Sequence, residues 1–123
     1  MNLSVKEKEK KIIELNKRAL NIVTIEGKKM EINNFIDKDL LKEQHEKILV
    51  ESLDKVKNKI ENEEVDFKNV LNTISSLHTP LNNFFDNVMV NVDDVKIKSN
   101  RLSILKKVVD TLKVYADFSK IQK

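Results

Sequence analysis

The sequence predicts an all-α protein, a bundle of four to five helices around one core, and three observations carry that reading. One glycine, Gly27, and one proline, Pro80, leave little material for the tight turns of an all-β chain. Lys, Glu, Leu and Ile dominate the composition, and most of these are good helix formers. Apolar residues also recur at three- and four-residue spacing in one segment after another. With 123 residues and 40% hydrophobic content, the chain is long enough for one domain with one core. No repeat, low-complexity block or internal linker interrupts it, so residues 1–123 are read as a single domain with a Lys/Glu-rich lead-in over residues 1–10.

The first helix is expected from about Lys8 to Ile25, with Ile12, Leu15, Ala19, Ile22 and Val23 as its apolar stripe. Gly27 suits its C-terminal stop. A second helix is expected from about Lys38 to Asn62, with Asp37 as N-cap and Leu41, Leu49, Leu53, Val56 and Ile60 facing inward. Its outer face carries most of the acidic charge. A third is expected from about Asp66 to His78, burying Phe67, Val70, Leu71, Ile74 and Leu77. Thr79-Pro80 reads as an N-cap with proline at the first helical position of a short fourth helix. That helix turns Leu81, Phe84, Phe85, Val88 and Met89 to one side and Asn82, Asn83, Asp86 and Asn87 to the other. Asp93 or Asp94 then caps a long last helix ending near Ser119, whose stripe runs from Leu102 through Leu105, Val108 and Leu112 to Tyr115.

Several function classes are excluded. With no Cys, disulfides and thiolate metal sites are absent, and His45 and His78 are too isolated to form a metal cage. One glycine cannot build a phosphate loop, and no Ser/His/Asp or Cys/His arrangement is recognisable, so the chain alone is expected to lack a catalytic site. No apolar run approaches the ~20 residues of a membrane span, and the start, MNLSVKEKEKK, lacks a signal peptide's apolar core. The expected compartment is the cytoplasm. Net charge is +3, unevenly spread: residues 1–30 carry +4, residues 31–66 carry −5 and residues 67–123 carry +4. Terminal helices packed side by side would present a positive face suited to a polyanion. His45 falls on a charged face and reads as solvated. Phe84-Phe85 reads first as a core anchor, with the alternative that one ring stays open to stack on a base. On the residues alone, function stays open between RNA binding and a helical protein-interaction module.

The segment PLNNFFDNVMVNVDD, followed by SNRLSILKKV and VYADFSK, resembles the C-terminal region of bacterial glycyl-tRNA synthetase beta subunits. The residues that carry the likeness are Phe84, Phe85, Asp86, Val88, Met89 and Val90, then Asp93 and Asp94, then the Asn100-Arg101-Leu102 triplet, then Ala116, Asp117, Phe118 and Ser119. Lys17, Arg18, Asn21 and Ile22 match a motif of the family's first helix, and EQHEKIL one of its second. Asn82 stands where the family often has Asp. The likeness covers roughly residues 14–121, and a full beta subunit is several times longer, so the chain is expected to be a piece of such a subunit.

The resemblance implies a helical bundle of the DALR type, shared with the anticodon domain of arginyl-tRNA synthetases. It implies recognition of the tRNA-Gly anticodon, whose second and third letters are cytosine. It implies as partners the remainder of the beta subunit and the alpha subunit, which uses ATP and Mg, with no cofactor in this domain. Cytosine offers an N4 donor beside N3 and O2 acceptors, so Asp86, Arg101, Arg18 and Asn21, with Asn100 of the triplet, are the expected base readers. Arg18 and Arg101 are expected at the border of core and solvent, converging with Asp86 and Asn21 on one patch. The competing reading of Asp86 and Arg101 is a mutual ion pair that locks helices. Lys17, Lys98, Lys106 and Lys107 are expected to hold phosphates.

Overall fold

The computed structural model describes residues 5–62 and 72–122. Among them are four α-helices and no strand: α1 (Val5–Gly27), α2 (Gln44–Asn62), α3 (His78–Asn87) and α4 (Val95–Gln122), with a 3-10 turn at Lys38–Leu40. The all-α expectation holds. Phe67, Val70 and Leu71 of the expected third helix lie outside the described residues. Its end is visible as a helical turn at 72–75 followed by a turn at Ser76 and Leu77.

The helices form a square. The packed pairs are α1 with α4, α4 with α2, α2 with α3, and α3 with α1. Lys98, in the first turn of α4, pairs with Glu26, at the end of α1, so these two run antiparallel. Lys11 lies beside His78, and Arg18 lies over Phe85. The same seven-residue step on both helices makes α1 and α3 parallel. The core fills the square's centre with Ile12 and Ala19 from α1, Leu49 and Leu53 from α2, Leu81 and Phe84 from α3, and Leu105 and Val108 from α4. Fully burying each large member contributes about 1.5–3 kcal/mol. Ile74 and Leu77, before α3, close one end.

Several boundaries depart from the periodicity. The expected second helix is broken: the 3-10 turn ends at Leu41, whose backbone is extended (φ −77°, ψ 108°), and α2 starts at Gln44. Asp37 therefore caps the 3-10 turn, accepting from the Asp39 N–H at 2.9 Å, instead of capping α2. The start of α2 is served by Glu46, whose Oε1 accepts from the Lys42 and Glu43 backbone N–H groups at 3.1 and 2.9 Å. This is the half of a capping box in which a third-position Glu reaches back. The Thr79-Pro80 cap is also corrected. α3 already begins at His78, its N-cap position is Leu77 with no side-chain cap, and Pro80 sits within the first turn, where its missing N–H costs nothing. Asp94, not Asp93, caps α4, taking the Lys96 and Ile97 N–H groups at 3.0 and 3.2 Å. Met89 is 69% exposed instead of inward-facing, because α3 stops at Asn87 and Val88 is extended (φ −111°, ψ 124°).

Candidate nucleic-acid interface

Arg18, one of the expected site residues, lies on the seam between α1 and α3. The Arg18 guanidinium carbon lies 4.4 Å from the Phe85 ring centroid, a cation–π stack. Phe85 meets Phe84 edge-on, with centroids 6.1 Å apart and ring planes at 73°. Phe84 is fully buried, so it anchors a half-exposed ring that in turn orients an exposed arginine. Asp86 follows Phe85 and is exposed, and the Asn82 side-chain amide donates to its Oδ2 at 3.3 Å. A carboxylate at position 82 would repel Asp86 one turn away, whereas the amide supports it. Asn21 is exposed one turn beyond Arg18 on α1. Arg18 and Asn21 are thus exposed on α1 and Asp86 on α3, and the Arg18–Phe85 stack is the contact that joins the two helices here. Lys17 is exposed on α1 next to Arg18 in sequence, about 100° further round the helix.

Arg101 is elsewhere. It is only 6% exposed, and its Nη2 pairs at 3.0 Å with Glu46 Oε1, a fully buried carboxylate. Its Nη1 donates to the Met89 carbonyl. The border position and the ion pair with Asp86 are therefore both corrected: Arg101 joins the start of α2 to the corner between α3 and α4. Asn100 is buried as well. Its Oδ1 accepts from the Asp37 N–H at 2.7 Å, and its Nδ2 donates to the Asp37 carbonyl at 2.9 Å, fastening the α1–α2 connection to α4. Leu102 completes the triplet with no exposed surface. Asn-Arg-Leu is thus a joint between three parts of the fold.

The lysines separate likewise. Lys98 is largely covered and ion-paired with Glu26 at 3.1 Å, which spends its charge within the protein. Lys106 and Lys107 are half-buried on the α2–α4 seam, on the side of the square opposite Arg18. α1 and α4 do pack side by side, but the Lys98–Glu26 bridge neutralises part of the positive face expected there. His45 is half-buried rather than solvated. His78 has its pKa lowered, first by desolvation and then by the Lys11 ammonium. No helix among the described residues is long and apolar enough to cross a membrane.

Sequence reasoning missed Glu46, although a signal was present. Glu46 continues the apolar spacing of Leu49, Leu53, Val56 and Ile60, while Arg101 lies on the stripe of Leu105, Val108 and Leu112. Two opposite charges, each on an apolar stripe, require each other as partners.

Residues 12–121 match the family model of the DALR anticodon binding domain. The chain is 37% identical over 114 residues to the "Glycine--tRNA ligase beta subunit" of Rickettsia africae (strain ESF-5), covering 91% of this chain and 17% of that protein. It is 36% identical over 119 residues to the protein of the same name from Rickettsia felis, covering 95% and 17%. The corresponding protein of Oceanobacillus iheyensis is 35% identical over 107 residues, covering 85% and 15%. The chain therefore spans about a sixth of the length of the curated relatives it matches. A match over residues 12–121, nearly the whole of this helical bundle, makes this chain a member of the DALR anticodon binding domain family.

Proposed function

We propose that the domain recognises the anticodon of tRNA-Gly as part of a glycine–tRNA ligase beta subunit, in the cytoplasm, supporting glycyl-tRNA synthesis. The observation that carries the reading is the family match over residues 12–121, together with relatives that bear that subunit's name. The partners are tRNA-Gly, the rest of the beta subunit and the alpha subunit. Glycine activation, with its ATP and Mg, belongs to the alpha subunit.

In this reading the α1–α3 seam is the base-reading surface. Anticodon bases are unstacked and can be read on their Watson–Crick edges. Asp86 accepts from a cytosine N4 amino group, and Arg18 and Asn21 donate to O2 and N3. The Phe85 stack holds the Arg18 guanidinium in plane before RNA arrives, which lowers the ordering cost of binding. Asn100 and Arg101 act by holding the frame, and Lys17 contacts phosphate.

The test is filter binding of tRNA-Gly and of the same tRNA with its two anticodon cytosines replaced. Arg18→Ala should cost ~1–3 kcal/mol with tRNA-Gly and much less with the altered RNA. Equal loss on both RNAs would reduce Arg18 to a phosphate contact, and no binding of tRNA-Gly by the intact chain would refute the reading. A second reading, a protein-interaction module, draws on Phe35 and Val95. These are 73% and 68% exposed beside a groove of about 320 Å³, a surface suited to another part of a longer chain. Binding to RNA that is indifferent to the anticodon would favour it.

A further inference from the structure

The α2–α4 seam holds a groove of about 400 Å³, on the side of the square opposite the Arg18 patch. Lys57, Lys106 and Lys107 line it, and none of them is ion-paired within the described residues. Ile60 supplies an apolar wall. Ser103 and Thr111 line the groove with hydroxyls already donating to the Ser99 and Lys107 carbonyls, so they face a ligand as acceptors. Glu61 and Asp110 also line it, leaving a net charge of +1.

That chemistry is selective. Clustered unpaired lysines favour an anion, because each carries a hydrated charge without a partner. Two carboxylates in the same groove disfavour a polyphosphate but accept hydroxyl or amino donors. An apolar wall suits a flat ring. We propose that this groove is a second binding site, separate from the α1–α3 patch, that takes one nucleotide unit: a single phosphate held by the lysines, with sugar and base donors turned to the acceptors. The unit is either a free mononucleotide or one residue of an RNA chain passing over this seam. The inference does not depend on the anticodon reading.

The test uses the full chain, isotopically labelled, titrated with AMP and in parallel with adenosine, which lacks the phosphate. AMP should move the backbone amide signals of Ser103, Lys107 and Asp110, and adenosine should do so at least fivefold more weakly. Lys106→Gln/Lys107→Gln should weaken AMP at least tenfold while circular dichroism and melting stay unchanged, and Arg18→Ala should leave AMP binding intact. If the double variant does not fold, Lys57→Ala, at an exposed position, carries the same comparison. Displacement of AMP by tRNA-Gly assigns the unit to an RNA chain, as does a tenfold loss of tRNA-Gly affinity in the double variant. Simultaneous binding of AMP and tRNA-Gly assigns it to a free nucleotide. The proposal is overturned if AMP and adenosine act alike, if AMP binding ignores the lysine changes, or if AMP leaves the groove unmoved while the double variant binds tRNA-Gly normally. A wild-type chain that binds AMP here but not tRNA-Gly defeats the anticodon reading and leaves this one standing.

Discussion

Glu46 takes three donors on one oxygen: the Lys42 and Glu43 N–H groups and Arg101 Nη2. Its own Oε2 and the Arg101 Nε have no hydrogen-bond partner among the described residues, so the buried pair is incompletely satisfied there. Removing one member leaves the other as an uncompensated charge. Glu46→Ala is expected to cost about 3–5 kcal/mol in urea unfolding, while Glu46→Leu combined with Arg101→Met should cost much less. A double variant as unstable as the single one would show that the pair contributes more than charge compensation. His78 gives a pH prediction at the same scale. Its folded pKa lies below the ordinary 6.5, so the unfolded chain binds the proton more readily. The native state therefore has its full advantage above pH 6.5 and loses it as pH falls through the lower folded value. His78→Gln should flatten the fall in melting temperature between pH 7 and pH 5. The open polar ends of Arg18, Asn21 and Asp86 were legible from helical spacing, because spacing reports which side a residue faces. Glu46 and Arg101 were each legible as a charge on an apolar stripe, but a separation of 55 in sequence hid that the two meet.

The elements divide according to how local their causes are. α1 and α4 were legible nearly to their ends, because an apolar stripe and, for α4, an acidic cap lie within each segment. The break at 41–43 was not, since no Gly or Pro marks it. On either side of it, Asp37 is held by Asn100 and Glu46 by Arg101, tertiary contacts that no local pattern announces. Asp94→Ala should cost about 0.5–2 kcal/mol, because it strands two N–H groups at the start of the longest helix. Gly27 ends α1 without a positive φ, and a Cβ there would meet Ile32 Cδ1 at an ordinary 3.7 Å. Gly27→Ala should therefore raise stability by about 0.4–1 kcal/mol through the unfolded chain, where alanine has less freedom to lose. A loss of stability in thermal melts would mean that the connection after α1 needs glycine.

For the molecule as a whole, the square arrangement sets apart what the sequence suggested would act together. α1 and α3 present the stacked arginine, while Lys106 and Lys107 of α4 lie on the opposite seam. Which faces meet depends on how four stripes close around one core, and no single stripe encodes that. RNA that reaches both seams should show a log–log salt dependence steeper by about 0.7 for each phosphate engaged. Replacing Lys106 and Lys107 should make that slope shallower, whereas Phe85→Ala should weaken binding with little change in slope. An unaltered slope in the lysine variant would place the RNA on the α1–α3 seam alone.

The Asn100 side chain closes on both backbone groups of Asp37, 63 positions away. An amide in a connecting segment ordinarily exchanges its hydrogen with water through small local motions. This one opens only when the Asn100 side chain releases it or the segment lifts away from α4. The Asp37 amide is therefore a reporter, placed in a loop, of whether that segment stays docked on the last helix. Deuterium should enter it far more slowly than it enters the neighbouring Asn34 and Phe35 amides, and Asn100→Ala should remove the difference.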